Sequence, residues 1–236
     1  MKKTLVLAGV FAGALANAQV ILQYNFNSIV PDASTGTGTT TPNINLVGSP
    51  TLSLIGGVTT TGFNSGVGSS DTAAADNSGF QTTTYPAAST GNKTAGAIVR
   101  LSTATYRKVK VRFDLRTSNT SARDYALQYT TNGGSTWIDA ASFVSAGGDT
   151  WNNNNSFDFS SISAVDNNAL FGFRVVSQFA PGGTNYRAAS ATGSYASGTY
   201  RFDMVTVEAE PVPEPATIMA LGLGAVAMVR RRRAAR

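Results

Sequence analysis

Apolar side chains recur at every second position in many stretches of this chain. Val20, Leu22, Tyr24 and Phe26 alternate with Ile21, Gln23 and Asn25. Val109, Val111, Phe113 and Leu115 alternate with Lys108, Lys110, Arg112, Asp114 and Arg116. Tyr125, Leu127 and Tyr129 follow, then Ile138, then Phe171, Phe173 and Val175, and finally Tyr200, Phe202 and Met204. A period of two places one set of side chains on one face of a strand, so each segment predicts a strand with one buried face. Gly- and Asn-rich turns separate the segments, and no helical period competes with them. An all-β, antiparallel sandwich follows.

Between Pro31 and Asn92 large apolar residues are sparse and Thr-Gly runs dominate, which predicts short strands and long loops. Val47, Leu52, Leu54 and Ile55 predict one strand there, and Ala97, Ile98, Val99 and Leu101 the next. Asn132-Gly133-Gly134-Ser135-Thr136-Trp137 reads as a hairpin turn whose glycines take positive φ. A short helical turn fits Ser160 to Asn168.

The two ends follow other rules. Lys2 and Lys3 precede an apolar run from Leu5 to Ala16, and Ala16-Asn17-Ala18 precedes Gln19. A basic start, an apolar stretch and an A-x-A site predict a signal peptide over 1–18, cleaved to leave Gln19 first. At the other end, Val212-Pro213-Glu214-Pro215 precedes an uncharged stretch, 216–229, and then Arg230, Arg231, Arg232 and Arg233 in the tail 230–236. Fourteen helical residues span about 21 Å, short of a hydrocarbon core of about 30 Å. Snorkelling arginines extend that reach, and their charge holds the tail on the cytoplasmic side as a stop-transfer signal. The chain therefore divides into a signal peptide (1–18), a sandwich (19–209) and a C-terminal anchor segment (210–236). Glu208-Ala209-Glu210-Pro211 is expected to be an extended linker.

The order of these C-terminal elements closely resembles the PEP-CTERM sorting signal of Gram-negative bacteria. That resemblance implies recognition and cleavage by an exosortase, a transient anchor in the inner membrane, and delivery to the cell surface or the extracellular polysaccharide matrix. The apolar stretch here is short for that family and contains Gly222 and Gly224. Positions Val109 to Val207 resemble the jelly-roll domains found upstream of many such signals, similar in outline to laminin-G-like and galactose-binding-like sandwiches.

Composition narrows the chemistry. The chain has no His and no Cys, which excludes Ser-His-Asp and Cys-His nucleophile systems, His-ligated zinc, disulfides and thiol redox centres. The net charge is +5, but the excess sits in Lys2, Lys3 and the C-terminal arginines. The remainder is close to neutral, so nucleic acid is not expected as a partner.

Glycoside hydrolysis needs only two carboxylates, and Asp114, Asp124, Asp139, Asp149, Asp158, Asp166 and Asp203 are the candidates. Most sit beside Arg or in turns, and Arg201 with Asp203, two apart on one strand face, reads as an ion pair or a contact to a neighbouring strand. No catalytic residue is assigned and no enzyme is expected. No cofactor is expected either; a loop Ca²⁺ held by Asp149 with Asn152 to Asn155, or by Asp166 with Asn167 and Asn168, is the alternative.

Trp137 and Trp151 are the candidate sugar-stacking residues, set against a role in capping the core. The row Lys108, Lys110, Arg112 and Arg116 offers a contact to an acidic polysaccharide, set against a solvated strand face. The reading is a non-catalytic exported protein, with a secreted carbohydrate-binding protein or glycoside hydrolase as the alternative.

Overall fold

The computed structural model describes residues 17–212. Twelve strands form two antiparallel sheets: β1 (Gln19–Tyr24), β2 (Ile44–Asn45), β3 (Thr51–Ile55), β4 (Thr59–Ser65), β5 (Ser78–Thr83), β6 (Gly96–Arg100), β7 (Tyr106–Thr117), β8 (Asp124–Thr130), β9 (Ile138–Val144), β10 (Thr150–Asp158), β11 (Gly172–Gln178) and β12 (Tyr200–Pro211). The seven-stranded sheet runs β10-β7-β12-β1-β2, with β5 pairing the first part of β12 and β4 pairing β5. The five-stranded sheet runs β3-β6-β11-β8-β9. The only helical element among the described residues is a single 3-10 turn, Ser163–Val165, inside the stretch expected to turn.

The core lies between the sheets, where the alternation places it. Val109, Val111, Phe113 and Leu115 of β7 are buried against Tyr125, Leu127 and Tyr129 of β8 and Phe173 and Val175 of β11. Burying each of the larger apolar side chains contributes about 1.5–3 kcal/mol. The Asn132 turn joins β8 to β9 with Gly133 at φ +71° and Gly134 at φ +97°. Asn132 Oδ1 accepts from Thr136 N at 3.0 Å and from Thr130 Oγ1 at 2.8 Å, which explains an Asn at that position without invoking a ligand.

Bulges move the inward phase at two places where strict alternation misplaces it. Register shifts between Val20 and Leu22, so Ile21 and Leu22 are both buried while Val20 is only half-buried. Another shift falls between Asp203 and Thr206 of β12, with Met204 at φ +47°. Met204 leaves the core, which resumes at Val205, Val207 and Ala209. An extra residue reverses the faces downstream of it. Ile138, opposite Tyr129 at the start of the edge strand β9, keeps its phase but is 48% exposed, while Ala140 and Phe143 pack against the core.

Residues 208–211 are not a linker. Glu208 pairs with Lys110, Glu210 with Arg107 and Pro211 with Tyr106, so β12 continues to Pro211. Ala209 is fully buried, and Val212 N donates to Thr105 O at 2.7 Å. The acidic side chains face the Lys/Arg row of β7, which holds this stretch in the sheet. The segment up to Ala16, the expected helix 216–229, and Pro213, Glu214, Pro215 and Arg230 to Arg233 lie outside the described residues. Among the described residues no helix is long and apolar enough to cross a membrane.

Candidate functional site

The outer face of the five-stranded sheet carries a connected row of polar side chains. Register places Arg174 of β11 opposite Gln128 of β8, and Gln128 opposite Asp139 of β9. These side chains point outward because Phe173, Val175, Leu127 and Tyr129 on either side point into the core. Arg174 Nε donates to Gln128 Oε1 at 2.7 Å, and Gln128 Nε2 donates to Asp139 Oδ1 at 2.7 Å. Lys93 Nζ closes the row on Asp139 Oδ2 at 2.5 Å. Burial would raise the Asp139 pKa, but hydrogen bonds from Lys93 and Gln128 and the Lys93 and Arg174 charges hold it below the usual range. Arg174 is lowered by burial, opposed by Asp139.

Trp137 completes this surface. Arg174 Cζ lies 4.4 Å from its ring centroid, a cation–π contact. Gly134, on the same hairpin, packs close to both Trp137 and Arg100: a Cβ there would stand 3.4 Å from Trp137 Cζ2 and 3.2 Å from Arg100 Nη2. Arg100 is exposed and helps line an open groove of about 310 Å³ with Val47, Thr51 and Leu170. One indole, two guanidinium groups and a carboxylate thus share one face, with the buried amide of Gln128 between them. The indole offers a flat apolar face, and the guanidinium and carboxylate groups offer fixed donors and acceptors.

Trp151 has a different setting. It sits on β10, on the outer face of the seven-stranded sheet, and its Nε1 donates to Val67 O at 3.0 Å. Gly68, at φ +98°, packs so closely that a Cβ would lie 2.9 Å from Trp151 Cδ1. The ring holds down the loop between β4 and β5. Neither tryptophan belongs to the core cluster, so the core-capping role fails for both.

Under the same loop lie Asp114 and Asp203, directly opposite each other on β7 and β12 and fully buried. Asp114 accepts from Ser70 N at 2.5 Å and Asn154 N at 2.7 Å. Asp203 accepts from Ser69 Oγ at 2.6 Å and Met204 N at 2.7 Å. Burial, with the charges of Asp71 and Asp114, pushes the Asp203 pKa up to about 8 against those hydrogen bonds. Arg201 is not its ion-pair partner; it bonds Gln81 Oε1 and Ser65 O.

The residues named for the alternative loop Ca²⁺ all have protein partners. Asp149 pairs with Arg116 and Asn119. Asn152 to Asn155 belong to β10, where the side-chain oxygens of Asn152, Asn154 and Asn155 accept from Ala146 N, Arg112 and Tyr125. Asp166, Asn167 and Asn168 accept from the backbone of Lys108, Thr105 and Leu170. Among the described residues no three Asp or Glu side chains are grouped to hold a metal ion. The basic row of β7 is likewise engaged: Lys108 and Arg107 face Glu210, Arg112 faces Glu208, and Arg116 faces Asp149.

Among the other carboxylates, Asp124 is clamped by Arg187 at 2.6 and 2.8 Å. At the predicted cleavage site, Ala18 is exposed and Gln19 opens β1 opposite Ala209. Sequence reasoning missed Gln128, Arg174, Arg100 and Lys93. Its available clue was a planar polar residue at the outward position of a strand whose other positions are apolar.

Comparison with solved structures shows that the fold resembles β-sandwiches seen in carbohydrate-binding modules. The CBM22-1 xylan-binding domain of Paenibacillus barcinonensis Xyn10C superposes with a TM-score of 0.50 at 14% identity, over 85% of this chain and 100% of that one. The CBM22-1-CBM22-2 tandem of the same enzyme gives 0.50 at 14% identity, over 86% of this chain. The match spans about half of the tandem, 49%. At this identity the likeness defines the fold alone. No curated protein matches the chain.

The C-terminal segment is more specific. The chain carries a PEP-CTERM protein-sorting motif at residues 211–233. Such a motif implies an exported protein that an exosortase recognises and that has a C-terminal membrane anchor before processing.

Proposed function

We propose that this protein is exported through its N-terminal signal, released between Ala18 and Gln19, and anchored briefly in the inner membrane by 216–229 with Arg230 to Arg233 inside. Exosortase then reads Val212-Pro213-Glu214-Pro215 and delivers the sandwich to the cell surface or the extracellular polysaccharide matrix, where it acts without catalysis. The observation that carries this reading is the position of the sorting motif, which starts where β12 ends. Cleavage beyond Val212 removes none of the described strands, and cleavage before Gln19 leaves β1 whole. Mass spectrometry of the mature protein from an exosortase-positive host should find neither Met1 to Ala18 nor Arg230 to Arg236. Recovery of a form that retains both arginine tail and motif as the only product would overturn the sorting assignment.

A second reading concerns what the sandwich does on arrival. The surface formed by Trp137, Arg174, Gln128 and Asp139 favours binding of a polysaccharide chain on the outer face of the five-stranded sheet. The xylan-binding description of the Paenibacillus barcinonensis domain adds a reason to try plant and bacterial glycans alike. In affinity electrophoresis, gels containing polysaccharide should retard the parent protein, and Trp137→Ala should abolish the retardation. Equal retardation of both would remove this face from the reading while leaving export and sorting untouched.

A further inference from the structure

A sheet edge offers backbone N–H and C=O groups to any strand that can reach them, and folded proteins blunt such edges. Among the described residues five strands lie at an edge: β2, β3, β4, β9 and β10. β2 is only two residues long. β4, β9 and β10 each break register against their neighbour, at Thr60/Gly62, opposite Leu127/Gln128 and at Asn152/Asn155. β3 carries none of these defences. It pairs with β6 in unbroken register from Thr51 to Ile55, and it holds no charged residue, Pro or Gly. The turns at its two ends leave space, since a Cβ on Gly48 or Gly57 would meet nothing beyond its chain neighbours within 4 Å.

Hydrogen-bond parity fixes which groups face outward. Leu101 N donates to Phe171 O at 3.0 Å and Ser177 N to Ala95 O at 3.0 Å, so the odd-numbered residues along β6 bond β11. Gly96, Ile98 and Arg100 are left to bond β3, where they stand opposite Ile55, Ser53 and Thr51. The N–H and C=O of Leu52 and Leu54 therefore point away from β6, along the free edge. No hydrogen bond among the described residues engages them. The Leu52 and Leu54 side chains pack against the core, opposite Val99 and Ala97. They remain only half-buried, because no described strand covers that flank.

We propose that β3 pairs antiparallel with β3 of a second copy of this chain, about a two-fold axis at Ser53. That axis sets Leu52 opposite Leu54 of the second copy, and each such pair exchanges two N–H···O=C bonds, so every free edge group of β3 is satisfied. The leucines of both copies form one apolar row that covers the open flank of each core. On the outer face Ser53 meets Ser53 and Thr51 meets Ile55, with no like charges opposed. Neighbouring registers fit less well. An axis at Leu52 would set Leu54 against Pro50, which has no N–H, and an axis at Leu54 would set Leu52 against Gly56, beyond the strand. Each chain has one such edge, so the pairing closes on itself and joins two five-stranded sheets into one. A contact this short falls below the ~1,000 Å² of a stable interface, which makes the dimer a weak one, with Kd of about 10–100 µM. It depends on neither export nor glycan binding.

Sedimentation velocity of the exported protein from ~5 to ~500 µM should show a concentration-dependent equilibrium between monomer and dimer. Ser53→Lys and Ser53→Glu each set like charges against one another at the axis and should each raise Kd at least ~10-fold. Tm should not change, because the Ser53 side chain is exposed. Mixing the two variants should restore association as a heterodimer, which requires a contact centred on Ser53. The chain has no Cys, so Ser53→Cys should form a covalent dimer under mild oxidation. Thr51→Cys should not, since the axis sets it about 13 Å or more from its counterpart. A parent that stays monomeric at ~500 µM would overturn the proposal and leave this edge to a strand from another protein. So would a dimer that Ser53→Lys leaves intact, or one that the mixed variants fail to restore.

Discussion

The outer faces of the two sheets receive the same kind of residue by the same alternation, yet one is roofed and the other open. On the seven-stranded sheet the loop between β4 and β5 lies over Asp114, Asp203 and Trp151, and outward polar groups become buried ones. On the five-stranded sheet Arg174, Gln128, Asp139 and Trp137 bond one another at a surface still in contact with solvent. A buried polar group must be satisfied or it destabilises the fold, whereas an exposed one can wait for a ligand. The roofed face should therefore govern stability and the open face recognition.

The strongest way to break this contrast is Asp114→Ala. It strands the N–H groups of Ser70 and Asn154 beneath the loop and should cost about 2–4 kcal/mol. Urea denaturation would measure the loss, and early protease nicking between Gly66 and Asn77 would locate it. A change below about 1 kcal/mol would mean that the loop is held elsewhere. Gly66→Ala tests the same roof by crowding, since the new Cβ meets Asn77 Oδ1 and Asp203 Oδ2; about 1–3 kcal/mol is expected by the same denaturation.

On the open face, Trp137→Ala should cost no more than about 1 kcal/mol, the scale of a half-exposed cation–π contact, while removing polysaccharide retention. A larger loss of stability would make Trp137 a structural pin of its hairpin. The smallest effect belongs to Glu210→Gln, whose partners Lys108 and Arg107 are largely exposed. It should change stability by less than about 1 kcal/mol, and the difference should shrink as salt is added.

Much of the frame was legible along the chain, because a strand with one buried face writes its period directly into the residues. Val109 to Leu115, Tyr125 to Tyr129 and Phe171 to Val175 are core positions as the alternation implies. Where alternation misled, at Val20 and Met204, a bulge had inserted a residue, and a bulge leaves no periodic mark before the partner strand is known. The reading of 208–211 as a linker failed for a related reason. Two prolines and two glutamates suggest an exposed extension, but Ala209 finds a core and Glu208 and Glu210 find basic partners on β7.

By itself the sequence determined the fold class and the sorting motif, since both are written in local order: a period of two in one case, and proline, apolar run and arginines in succession in the other. It also excluded thiol and imidazole chemistry by composition. Only the tertiary structure decided which of two tryptophans stacks on an arginine and which pins a loop. Only it set Asp114 against Asp203, and brought Arg174 to Trp137 from strands that are distant in the chain. These are contacts between segments far apart in sequence, created by sheet register and by where one loop comes to rest. No local pattern encodes them, because the energy that selects them belongs to the assembled sandwich.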